Sequence, residues 1–343
     1  VAVGANAGLS VTTGVQNTLI GGLAGDAITS ALKSTAVGYL SLSGTTTGNN
    51  NTAMGFQSLL ANTTGVGNVG LGYAALEQNT TASNNTAVGY AALLTNTTGT
   101  TNVAVGYAAL DANTTAGSNT AVGSSALGAN TTGANNTAVG ANSLLVSTTG
   151  LDNVAVGNLA LTANTTASYG TAVGKSALAA NTTGTYNTGL GFKALTANTI
   201  GFNNTAVGAN SLDANVSGDY NVAMGTLALT TDASGNKTTA IGYAALYNQN
   251  PASGADVFNT AVGYAAGTAV TSGIQNTFVG AEAGDATTTG GYSTAVGKDA
   301  LGANTTGGHN VAVGRLALKS NTTANNNVAV GNETLNANTT GTS

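Results

Sequence analysis

The sequence predicts an all-β chain wound as a β-solenoid, a parallel β-roll of about twenty 17-residue rungs. Three observations predict it. A unit opening with Asn-Thr-Ala-Val-Gly or a close variant restarts at residues 17, 34, 51, 68, 85, 102, 119, 136, 153, 170, 187, 204, 221 and 238. After one longer unit it restarts again at 259, 276, 293, 310 and 327. With the truncated first copy that makes twenty, and the fifth position is glycine in all of them, from Gly4 to Gly331. Finally, the unit has a β-branched run of about four residues where a helical repeat needs apolar spacings of three and four through at least ten.

Each element follows from residue type. Positions 1–4 are expected to form one strand, with a turn at the glycine, a second short strand over positions 6–10, and a closing turn at 12–16. Asn and Gly suit corners that require positive φ. Position 2 is always Thr or Val, and position 4 is Val, Ile, Leu or Met, including Met54 and Met224. Position 3 is Ala or Gly except at Leu19 and Phe278, and both exceptions fall in units whose ninth residue is glycine instead of leucine, Gly25 and Gly284. A large third residue where the ninth is small indicates that both project into one narrow interior of fixed volume. Strand alternation then turns positions 2 and 4 outward. Such an apolar stripe exceeds what a soluble monomer exposes, so identical chains are expected to cover it in a closed cyclic oligomer, a homotrimeric fibre.

"NTAVG", "NVAVG" and "TTAIG", each followed by a small-residue stretch and a polar turn, resemble the head repeats of trimeric autotransporter adhesins. Similar units occur in trimeric tail-fibre proteins of phages and in bacterial surface proteins, a style that "GVQNTLIGGLAGDAITS" and "GIQNTFVGAEAGDATTTG" match. The resemblance implies a left-handed parallel β-roll in a homotrimer, although those heads have somewhat shorter units. Residues 1–42 also resemble 260–301, a super-repeat. Residues 1–343 are therefore expected to be one continuous repeat domain, interrupted at 247–258, and a segment of a longer repeat chain.

Composition narrows the function. Charged residues make up 6% of the chain, and a net charge of −5 with seven Lys plus Arg supplies no basic footprint for nucleic acid or an anionic membrane. Without Cys there are no disulfides or thiolate metal sites, and no apolar run is long enough to span a bilayer.

Candidate sites compete with the repeat itself. "GVGNVG" at 65–70 fits G-x-G-x-x-G, but its glycines belong to the repeat and no helix is expected after it. His309, the single His, has no acid–Ser pair or second ligand to work with. Asp26 and Asp285 lack the nonapeptide spacing of calcium-binding rolls. No catalytic, cofactor or metal residue is therefore assigned. Position 6 carries Tyr39, Phe56, Tyr73, Tyr90, Tyr107, Phe192, Tyr243 and Tyr264, expected as a ladder along the rung edge, with a sugar-stacking platform as its rival. "NTT" recurs at Asn62, Asn79, Asn96, Asn113, Asn130, Asn164, Asn181, Asn304, Asn321 and Asn338. These are formal glycosylation sequons that tight turns also favour. Its Thr array has the chemistry of ice-binding solenoids but sits in a corner, not in flat Thr-x-Thr rows. "YNQNPASGADVF" at 247–258 holds the only Pro and is expected to protrude.

The expected function is that of a non-enzymatic surface fibre of a bacterium or virion, acting in attachment or as a rigid spacer. Its partners are expected to be copies of itself and a host surface protein or glycan, with no cofactor. The alternative is a self-assembling extracellular filament or surface-layer component.

Overall fold

The structure is a computed structural model and describes residues 1–341. Its chain forms two compact units, Val1–Tyr169 and Gly170–Ser343. The first contains ten short strands, from β1 (Ala2–Val3) to β10 (Val154–Val156), and the second ten more, from β11 (Thr171–Val173) to β20 (Val328–Val330). Inside each unit a strand pairs in parallel with the one a repeat further on, as in Thr86↔Val103 and Val88↔Val105. The longer repeat keeps the same register across its insertion, Thr239↔Thr260 and Ile241↔Val262. Each unit is thus a β-solenoid, with coils about 4.8 Å apart.

The strands occupy positions 2–4 only. Positions 6–11, expected to hold a second strand, form a chain of turns, as over residues 73–78. Burial shows why. Ala75 and Leu76 are adjacent and both fully buried, which a strand, sending neighbours to opposite faces, cannot achieve. The backbone instead enters the left-handed region at positions 7 and 9, with φ of 53° at Ala74 and 56° at Leu76. The N–H groups of these two left-handed residues point to opposite neighbours in the stack. Ala74 donates to the Phe56 carbonyl one coil back (2.9 Å), whereas Leu76 donates to Ala92 one coil forward (3.0 Å). Coil-to-coil pairing therefore continues without extended chain. Left-handed leucine costs about 1–2 kcal/mol, which burying its side chain by about 1.5–3 kcal/mol offsets.

Glycine at position 5 answers two constraints at once. At Gly72 φ is +139°, and an added Cβ would lie 2.4 Å from the carbonyl oxygen of Gly89 in the next coil. No other residue meets both.

The interior is narrow, and the volume-sharing rule operates inside it. Phe278 is fully buried, and a Cβ on Gly284 would fall 2.6 Å from its ring. A Cβ on Gly267, in the preceding coil, would fall 2.8 Å from the same ring. Leu19 stands in the same way 2.8 Å from both Gly8 and Gly25. One large third-position side chain thus fills the space of two ninth-position leucines, so the glycines come in consecutive pairs.

Two buried asparagine ladders flank the apolar strip. At position 1, Asn85 takes its own N–H bond to Asn68 Oδ1 (3.0 Å) and donates Nδ2 to the Gly99 carbonyl (2.8 Å), closing its coil. At position 12, Asn96 donates Nδ2 both to Asn79 Oδ1 (3.0 Å) and to the Gly99 carbonyl (3.0 Å). Asn62, Asn79, Asn96, Asn113 and Asn130 link this way in succession. Ser147 then interrupts them, and Asn130 Oδ1 is left buried without a partner. Ser147→Asn should supply that donor and raise stability by about 1–2 kcal/mol, read as a shift in the chemical-denaturation midpoint at unchanged slope.

Candidate interaction surfaces

The outer sheet face is built by strand alternation. Position 3 is buried in every strand from β2 (Thr18–Ile20) to β20, while positions 2 and 4 point away from the interior. Val103 and Val105 are each 36% exposed and Met54 46%, so the coil's own side chains do not shelter them. No charged residue occupies position 2 or 4 in any repeat. What this face offers is two parallel columns of Thr/Val and Val/Ile/Leu/Met with no charge to be desolvated on contact.

Position 6 follows the glycine corner. Tyr39, Phe56, Tyr73, Tyr90 and Tyr107 stack with centroids 4.9–5.7 Å apart and planes within 22°. In the second unit Tyr243 and Tyr264 stack at 5.5 Å, and Phe192 lies under the Lys193 ammonium at 5.4 Å. The expected ladder is present. Position 17 also carries aromatic rings, Tyr169 in the first unit and Tyr186, Tyr220, Tyr292 and His309 in the second, with Phe258 just before its Asn in the longer repeat. The signal for them was the same 17-residue spacing, masked because polar residues hold this position elsewhere. His309 is one of them and lies flat on Tyr292, centroids 4.8 Å apart. It is a stacking residue.

The remaining candidates disperse. Gly65, Gly67 and Gly70 lie at the end of one coil and in the next strand, with no helix following. Asp26 accepts a 2.5 Å bond from Ser43 Oγ. Burial, with the Glu282 charge nearby, pushes the Asp285 carboxyl above its ordinary range, and Lys298 lies between Glu282 (3.6 Å) and Asp299 (3.4 Å). No three potential ligands gather around a metal-sized space among the described residues. The sequon asparagines from Asn62 to Asn321 are buried, and Asn96 commits both Nδ2 protons to bonds, leaving no room for a glycan. Asn338, in the last described coil, is only half-buried. The threonines beside them form a ladder of their own, Thr63 Oγ1 donating to the Thr80 carbonyl (3.0 Å).

Residues 247–258 protrude less than expected. Gln249 turns inward and replaces a ladder asparagine, donating to Asp232 Oδ2 (2.7 Å) and accepting from Asn259 Nδ2 (2.9 Å). Val257 is fully buried, and Lys237 pairs with Asp256 at 2.5 Å. Both ends are pinned because the insertion must return the chain to the 17-residue register. The tip, Ala252–Gly254, is the longest exposed run, with Asn248, Asn250, Asp256 and Phe258 exposed singly between more buried neighbours.

Neither a protein-family model nor a curated protein matches this chain.

Proposed function

We propose that the chain is a segment of a structural fibre on the surface of a bacterium or virion, assembled as a homotrimer through its outer sheet faces and serving in attachment or as a rigid spacer. The observation that carries the reading is the outer face itself, uncharged repeat after repeat, apolar throughout position 4 and only partly covered by its own coil. Covering one exposed valine recovers only part of about 1.5–3 kcal/mol, but the gain recurs with every coil and grows with fibre length. Function then comes from length, stiffness and multiplied weak contacts, with no chemistry required.

Mass in solution tests it. The 32.8 kDa chain should travel as a particle of about three copies. Val88→Asp with Val105→Asp and Val122→Asp, three outward side chains in successive coils, should reduce it to single chains with an unchanged circular dichroism spectrum. A wild-type particle that is already a single chain removes the reading.

A further inference from the structure

The position-6 row in the first unit has an end. After Tyr39, Phe56, Tyr73, Tyr90 and Tyr107 the next coils carry Ser124, Ala141 and Asn158. An interior ring has both faces covered by its neighbours and presents only an edge and a hydroxyl, so a sugar cannot lie flat on it. Tyr107 differs: Tyr90 covers one face at 5.4 Å, and Ser124 is too short to cover the other. Its exposure, 60%, exceeds the 51% of Tyr90 and the 46% of Tyr73.

The surface beyond Tyr107 is a step. Three coil spacings separate Tyr107 from Asn158, about 14 Å, and the two short residues between them open about 10 Å of it. Along that step Ser124 is exposed and its Oγ has no partner among the described residues. Asn158 donates Nδ2 to the Ala141 carbonyl (3.1 Å), leaving Oδ1 as a free acceptor. Positions 4, 6 and 7 of these coils contain no charge, from Val105 and Tyr107 through Asn158 and Leu159. A partner that fits is uncharged, has one flat apolar face a ring wide, and carries hydroxyls around its rim. The electron-rich face of Tyr107 attracts the slightly positive C–H groups of such a face.

We propose that this step binds a neutral pyranose of a glycan, with its C–H face on Tyr107 and a hydroxyl on Ser124 Oγ. The inference rests on the attachment reading above and names its ligand class, while the site itself lies within one chain. Single contacts of this kind are weak, and binding strength comes from many copies along a fibre.

Saturation-transfer NMR on the full chain tests the inference, using methyl β-D-galactopyranoside and methyl β-D-glucopyranoside separately as probes. Transfer to the ring C–H protons of at least one sugar is expected. It should fall at least tenfold in Tyr107→Ala and in Ser124→Leu, which keeps the ring but covers its free face. Tyr73→Ala, an interior ring, should leave it within twofold of wild type. No transfer to either sugar overturns the proposal. So does wild-type transfer in Tyr107→Ala or Ser124→Leu, or an equal loss in Tyr73→Ala. A trimer that takes no sugar defeats this inference alone, whereas a single chain that still shows Tyr107-dependent transfer defeats the fibre reading and leaves the site standing.

Discussion

Phe278→Ala should destabilise the second unit by about 3–5 kcal/mol, and restoring leucine at the paired glycines should recover most of the loss. The ring fills the space that Leu301 and its equivalents fill in other coils, against Gly267 and Gly284. Truncation leaves a cavity that a hydrogen-bonded stack of coils cannot collapse, since each coil is held in register by its neighbours. Gly267→Leu with Gly284→Leu should also destabilise, because the two Cβ atoms would fall 2.8 and 2.6 Å from the ring. The triple variant Phe278→Ala, Gly267→Leu and Gly284→Leu rebuilds the majority pattern. Its new leucines adopt a left-handed φ close to the +54° of Leu301. Chemical denaturation of the four proteins measures the coupling, which should be strongly favourable. Additive losses would show that the three side chains do not share one space.

How much of this was legible in the sequence depends on the kind of signal. Coil length, strand position and the inward third residue were readable because a 17-residue period repeats each constraint twenty times, and the Phe278–Gly284 exchange exposed the interior directly. The turn-rich half was not, because alanine and leucine are poor left-handed formers and Ala75–Leu76 reads locally as a strand or helix pair. Its clue was two adjacent apolar columns, at positions 8 and 9, that no strand can bury together. Asparagine was read as corner chemistry. The ladders are a property of stacking, in which one side chain bonds to the same residue a coil away, and no single repeat shows that. At the surface, the position-6 ladder could be read, but its consequence could not: stacked rings hide their faces, which leaves free ones at the ends of a row, as at Tyr107.

Asn113→Asp should cost about 3–5 kcal/mol at neutral pH, and Asp232→Asn should gain about 1–3 kcal/mol. Asn113 donates Nδ2 to Asn96 Oδ1 (2.8 Å) and to the Ala116 carbonyl (3.0 Å) and accepts from Asn130 Nδ2 (3.0 Å). A carboxylate there keeps the acceptor, loses both donors, and buries a charge with no cation beside it. Asp232 is the natural instance of that defect. It receives Gln249 Nε2 (2.7 Å) and the Gly235 N–H (2.6 Å), but it cannot donate to Asn215 as the regular ladder requires. Burial pushes its carboxyl above the ordinary carboxylate range, against the lowering effect of those hydrogen bonds. The sign of the pH dependence follows. A carboxyl that holds its proton more tightly when folded contributes most stability below the unfolded pKa and loses it as pH rises through the folded value. The advantage of Asp232→Asn should therefore be full at neutral pH and shrink as the pH falls toward 3.8. The deficit of Asn113→Asp should shrink over the same interval, because a protonated carboxyl again has a donor to give. Denaturation midpoints of wild type and both variants between pH 7 and about pH 4 follow the two trends together. Differences that stay constant across that range would mean that the ladder tolerates a carboxylate as well as an amide.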